Sequence, residues 1–456
     1  MKETRKHTYN KGLNAFSLAG LGIGGVIGAG FFLGSGIAVR EAGPAVSLSF
    51  LIGGLIMMQV LGGMTSINVN RMQHGSFRVY AEEFLGSYTG FLLGWVVFAS
   101  SILSIGSEAL AMGLFVHLWL PHIPLAILAT TFIVIIILIN AMNMQFFSKV
   151  ESGMAAVKAL AILAFILLGV YAIYSKGVSL PSPAPLSSFH AFFPKGFSGV
   201  LQSMLVVIFS YSGISVIAMA ATEVSKPEKQ IPQAARYMTF GSIGLYALSM
   251  LVLVFITSWN TVPEKKSPFV QAFDVIGYDW AAVIMNFIVI LAAFSVMAAS
   301  YYSSLQMLVS LSEAKKGPHM FLPRTKGGFY RNAWLAVGIS VLLVVGLSFL
   351  LSSKLYNYLI SASSYITFLN WIVNLLTYLI WKRKRGEEET FQSRLIWGNT
   401  GAYATILIIL VMFVMSLKVV DFRMGFYAAA VIIGVISLAY LLWLKFSRKQ
   451  EKSHNA

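Results

Sequence analysis

The chain has 456 residues, 57% of them hydrophobic and 11% charged, with a formal net charge of +16 and a mean hydropathy of +0.77. So little polar surface cannot cover a water-soluble globule of this size, which excludes a soluble enzyme or nucleic-acid-binding domain and indicates an integral membrane protein. The absence of cysteine excludes disulfides and thiolate metal sites, and the seven histidines are scattered without ligand spacing, so no metal is expected.

The apolar segments are near or above the roughly 20 residues a helix needs to span a bilayer, and none alternates like a barrel strand. Twelve spans are predicted. The first six lie near Leu13 to Val39, Pro44 to Val69, Phe84 to Val116, Ile123 to Ala141, Gly153 to Tyr174 and Phe197 to Ala221. The second six lie near Tyr237 to Trp259, Trp280 to Leu311, Ala333 to Leu351, Tyr356 to Trp381, Gly401 to Leu417 and Met424 to Phe446. With the N-terminus inside, twenty-four of the 33 Lys and Arg fall in inner segments and eight in outer ones, so both termini are expected in the cytoplasm. The first apolar run is too long for a signal-peptide core, and it is expected to be retained.

The first span carries eight glycines, at Gly20, Gly22, Gly24, Gly25, Gly28, Gly30, Gly34 and Gly36. The pairs Gly24/Gly28 and Gly30/Gly34 have the spacing that lets two helix backbones touch. The full set, however, is spread nearly all around the helix at about 100° per residue, and each glycine costs roughly 1 kcal/mol in a helix interior. Close packing and a helix that opens in the middle both fit this pattern.

The third span holds Glu108, about nine residues or roughly 13 Å from its outer end at His117. An intramembrane carboxylate is paired, protonated as interhelical glue, or facing a wet cavity. The fifth span holds Lys158, about seven residues or roughly 10 Å from Glu151. Its stem can snorkel to the interface, or its amine can stay inside as a site for proton binding and release. A proline-rich outer loop follows, and the sixth span is then interrupted by Ser210, Tyr211, Ser212, Gly213 and Ser215. Serines bonding back to their own helix would give an ordinary bent span. Paired with the glycine-broken first span, the interruption instead fits the discontinuous helices of inverted-repeat transporters.

The motifs GVIGAGFFLGSG (25–36), EAGPAV (41–46), KALAILAFILLG (158–169), FSYSG (209–213) and AATEVSKPEKQIPQA (220–234) follow in order along the chain. Together they resemble the amino acid-polyamine-organocation permeases, most of all the bacterial γ-aminobutyrate and D-serine/D-alanine/glycine permease type. The resemblance implies an all-α membrane protein with a LeuT-like five-plus-five inverted repeat, helices 1 and 6 broken, and two additional C-terminal helices. On that pattern residues 1–12 are a cytoplasmic segment, 13–175 the first repeat, 176–196 an extracellular loop and 197–381 the second repeat. Residues 382–400 are then a cytoplasmic loop, 401–446 the last two helices and 447–456 a tail.

The implied activity is proton-coupled amino acid uptake by alternating access in the cell membrane. The proton is the coupling ion and no cofactor is involved; the partners are an amino acid and the lipid bilayer, with no nucleic acid and no oligomeric state read from the chain. The resemblance assigns the substrate carboxylate to backbone amides at Ile27, Gly28, Ala29 and Gly30. It assigns the amino group and side chain to Phe209, Ser210, Tyr211, Gly213 and Ser215, and it matches Lys158 and Glu108 to residues of proton coupling. The chain departs from the pattern at Ser215, where a Glu is usual, at Gly63-Met64-Thr65 and at Gln306. These departures remove charge, which favours a neutral substrate. An exchanger, a channel or a sensor of the same fold is the alternative class, whereas an enzyme would need converging catalytic groups that the sequence does not offer.

Overall fold

Proline and glycine set most of the turns between helices. Gly43, at φ +65°, ends one helix and Pro44 opens the 3-10 turn Gly43–Ala45; Gly86, at φ +99°, separates two others. The computed structural model describes residues 14–71, 77–141, 144–176, 187–214, 226–325, 329–349 and 354–454, and the described residues contain helix and no strand.

In chain order the helices are α1 (Ala15–Val26), α2 (Ala29–Phe32), α3 (Gly34–Ala42), α4 (Val46–Asn70), α5 (Arg78–Leu85) and α6 (Ser87–His117). Next come α7 (Leu125–Asn140), α8 (Met144–Lys176), α9 (Phe189–Phe192), α10 (Gly196–Ser210), α11 (Pro227–Ile256) and α12 (Pro268–Val275). The chain ends with α13 (Asp279–Glu313), α14 (Arg331–Gly346), α15 (Leu355–Lys384), α16 (Gly398–Ser416) and α17 (Val420–His454).

Ten continuous stretches among the described residues are long and apolar enough to cross a membrane. One of them, Ala29–Asn70, turns at Gly43–Ala45 and holds parts of two predicted spans, and Leu125–Asn140 supplies a shorter passage. The predicted order of twelve passages is therefore present, with local differences. α7 has 16 residues and is about 24 Å long, short of a full crossing, because Pro124 precedes its first turn. The third span starts at Ser87 rather than at Phe84, since Gly86, at positive φ, ends α5, a short amphipathic helix that takes in Phe84 and Leu85.

Two groups of helices form the body. α1, α4, α10 and α11 pack together, as do α6, α7, α13 and α14, while α8 and α15 touch members of both groups. The ends of α4, α6, α13 and α15 that share the side of Ala15, called here the near end, are joined by charge. Glu82 of α5 accepts from Arg78 at 2.8 Å and lies 2.6 Å from the Lys316 ammonium, which also donates to Ser87 O at 3.1 Å. Arg71 pairs with Glu83 and with Glu389, whose second oxygen accepts from Trp381 Nε1 at 2.6 Å. Burial lowers the Lys316 pKa from the usual lysine value, and the neighbouring Glu82 pulls it back only in part.

The Arg78 and Lys316 side chains are each 4% exposed, so Glu82→Gln leaves two enclosed cations without their counter-charge. The expected cost is about 2 kcal/mol, below that of a fully buried pair because Glu82 is itself partly exposed. It is read as a lower melting temperature of the purified protein in detergent. The deficit should shrink as pH rises toward the ordinary lysine value, since a base whose folded pKa is depressed gains relative stability as rising pH discharges it. A variant that melts with the parent protein at every pH would show that the network carries no stability.

Candidate functional site

The first span does break. α1 ends at Val26, Ile27 leaves the helix at φ −82° and ψ 95°, Gly28 is extended at φ −137° and ψ −164°, and helix resumes at Ala29. Breaking a helix strands backbone carbonyls and amides, and away from water each unmet group costs several kcal/mol.

Side chains from five other helices bond the backbone on the two sides of the break. Lys158 of α8 donates to Gly24 O at 2.7 Å, Tyr246 of α11 to Val26 O at 2.9 Å, and Tyr356 of α15 to Ala29 O at 3.1 Å. Ser210, the last residue of α10, donates to Gly30 O at 2.9 Å, and the Ala29 amide donates to Glu108 Oε2 of α6 at 2.8 Å. The two titratable groups sit where half-helix dipoles favour their charged forms: an amine at the carbonyl end of α1, and a carboxyl at the amide end of the resumed helix.

Lys158 is fully buried and also donates to Ser295 Oγ of α13 at 2.6 Å, so its amine stays inside and does not snorkel. Glu108, 2% exposed, faces the break; a Cβ on Gly28 would lie 2.7 Å from its Oε1 and 2.9 Å from Val296. The first-span glycines thus serve both purposes left open by their spacing. Gly28 is a break point, and Gly30 lets the Phe209 ring approach so closely that a Cβ there would lie 2.5 Å from it.

Ile27, Gly28, Ala29 and Gly30 are all buried against these side chains. In the sixth span α10 stops at Ser210 and a 3-10 turn follows at Ser212–Ile214. Tyr211 points toward α4, donating to Phe50 O at 3.0 Å. Gly213 presses on the Gly25 carbonyl, so the two interrupted spans touch backbone to backbone. Ser215 lies outside the described residues. The sequence reading missed Tyr246, Tyr356 and Ser295; a tyrosine deep in an apolar span, whose hydroxyl must find a partner, is the signal that would have found the first two.

Beside the meeting of Gly25, Ser212 and Gly213 lies an open cavity of about 90 Å³, walled by α6, α13 and α15. Its lining is partly exposed at Val97 to Ser101 and Ser104 of α6 and at Ala299, Ser300 and Ser303 of α13, whereas residues 105–113 of α6 are buried. The cavity therefore opens toward the near end. The other side is closed by a buried aromatic cluster in which Phe31 stacks on Tyr246 at 3.8 Å and touches Phe50 and Phe269 edgewise or tilted. Over it, Ser267 donates to Phe32 O at 2.7 Å, and Arg40 reaches Val262 O at 3.3 Å and Pro263 O at 3.1 Å.

A side chain at Gly213 would meet backbone that cannot swing away, whereas one at Gly20 of α1 would meet nothing within 4 Å. Gly213→Ala is expected to lower the melting temperature and the folded yield. Gly20→Ala is expected to hold or raise stability by up to about 1 kcal/mol, through helix propensity. Equal stability of the two variants would argue against the close approach of the interrupted spans.

Comparison with known proteins gives a consistent picture. The profile of the family described as amino acid permease matches residues 19–456. The chain is 32% identical to the amino-acid permease RocC of Bacillus subtilis over 84% of this chain and 83% of that protein. It is 29% identical to the γ-aminobutyric acid permease of the same organism, covering 95% of this chain and 94% of the relative. It is 28% identical to the aromatic amino acid transport protein AroP of Escherichia coli over the full length of both. With ten membrane-length helical stretches among its described residues and an interrupted first span, the chain belongs to the amino acid permease family.

Proposed function

We propose that the protein imports a neutral amino acid across the cell membrane by proton symport, with the cavity exposed alternately to the two faces and both termini in the cytoplasm. The observation that carries this reading is that two titratable side chains, Lys158 and Glu108, hold the two lips of one helix break. A proton gained or lost at either changes the grip on the segment that the family resemblance assigns to substrate.

The chemistry follows from the bonds. Glu108 occupies the Ala29 amide, one of those assigned to the substrate carboxylate. An ionised acceptor makes a bond worth about 1.5–3 kcal/mol and a neutral one about 0.5–1.5 kcal/mol. Protonating Glu108 thus loosens its hold and leaves the amide end of the resumed helix to an incoming carboxylate. Lys158 ties Gly24 O to Ser295, hence α1 to α13; discharging it weakens a tie between the two helix groups. Under this scheme the aromatic cluster and the Arg40 and Ser267 bonds are the closed outer gate, and the open cavity is the inward-facing state. The excess of basic residues at the near end supports its being cytoplasmic.

The test is uptake of labelled amino acids into proteoliposomes, with and without an imposed pH gradient, inside alkaline. Gradient-driven accumulation, abolished by an uncoupler, is expected. Lys158→Ala should lose accumulation and keep some binding or exchange, and Glu108→Gln should lose the pH dependence of uptake. Full accumulation by Lys158→Ala would remove the lysine from coupling. Exchange without accumulation would make the protein an exchanger, and binding without movement in folded protein would make it a sensor.

A further inference from the structure

The polar groups of the cavity divide into those already bonded and those left over. Ser100 of α6 and Ser363 of α15 bond each other at 2.8 Å, Ser101 donates back to Val97 O at 3.0 Å, and Thr367 donates back to Ser363 O at 2.9 Å. These groups fasten the walls. The hydroxyls of Ser104, Ser212, Ser300 and Ser303 bond no described residue, although all four residues line the same space. They arrive from three directions: α6, the turn that interrupts the sixth span, and α13. Asn370 of α15 accepts from Asn374 at 3.2 Å and keeps its own amide N–H groups unspent. Short aliphatic groups, Val97, Val296, Ala299 and Ile366, fill the rest, and no ring or ionised side chain is among the described lining residues.

We infer that this cavity is the side-chain pocket of the permease and that it takes a short neutral side chain ending in a hydroxyl or a carboxamide. The inference rests on the transport reading above and narrows its substrate class. A guanidinium or carboxylate entering here would give up hydration with no counter-charge, because Lys158 and Glu108 are engaged at the break and do not line the space. A ring or a branched alkyl chain would cover four hydroxyls without giving them a partner, and leaving polar groups unmet is costlier than forgoing an apolar contact. A hydroxyl or carboxamide can bond the unspent groups while its one or two methylenes rest on the valines. The substrate backbone then lies toward Gly25 and Gly213, where the two interrupted spans meet.

The experiment is competition against uptake or binding by the reconstituted full-length protein, with serine, threonine, asparagine, alanine, leucine, phenylalanine, arginine and glutamate. Serine, threonine or asparagine should compete at least tenfold better than leucine, phenylalanine, arginine or glutamate. In Ser104→Ala and Ser300→Ala the preference for serine over alanine should fall three- to tenfold, as the loss of one neutral hydrogen bond predicts. A purely structural role for these serines would weaken both substrates together and leave the ratio unchanged, which would overturn the assignment. Best competition by arginine, glutamate, leucine or phenylalanine would overturn the pocket while leaving the transport reading standing. Failure of every amino acid to bind or move in folded protein would sink the transport reading, and the pocket with it.

Discussion

The interruption of the first span at Ile27 and Gly28 is the constraint on which the interior depends. An unbroken helix satisfies its own backbone, so its neighbours need only pack against it. A broken one in an apolar setting must be completed by others, and here α6, α8, α10, α11 and α15 each contribute one side chain. Those helices come from both packing groups. Any relative movement of the groups therefore has to renegotiate bonds at the break, which makes the break a natural place for ligand and conformation to be linked.

The two sides of the break are built from different chemistry. Toward the far end stand Phe31, Phe50, Phe165, Tyr246 and Phe269, whose rings close the space by contact area and edge-to-face geometry. Toward the near end stand hydroxyls, which tolerate water and hold an aqueous cavity open. Gly213 against Gly25, with Phe209 over Gly30, keeps the two interrupted spans in direct contact. A small shift of α1 or α10 then acts on both sides together.

Much of this was legible in the sequence, and the limits are physical. Glycine crowding from Gly20 to Gly36 fitted both a break and close packing, and the structure uses it for both, at Gly28 and at Gly30. Glu108 and Lys158 stood out because a charge in an apolar span needs a reason, yet their partners did not, since Gly24 O and the Ala29 amide are backbone groups that no residue type advertises. Tyr246 and Tyr356 lie 220 and 327 residues from the carbonyls they meet, and nothing local in α11 or α15 encodes that distance. α5 is hard to read because eight residues leave only a brief periodic signal, and its helix is held by charges on two other segments, Arg71 and Lys316.

Charge placement separates coupling from specificity. Both intramembrane titratable groups are spent on the protein's own backbone, one at each pole of the interrupted helix. A group so committed is a poor partner for a substrate side chain, because releasing it would leave a buried backbone group unmet. The positions to which the family resemblance assigns charge, occupied here by Gly63, Gln306 and Ser215, fit the same division. What remains to tell one amino acid from another is the arrangement of neutral donors and acceptors around the cavity, and hydroxyls discriminate by which of them a ligand leaves unpaired.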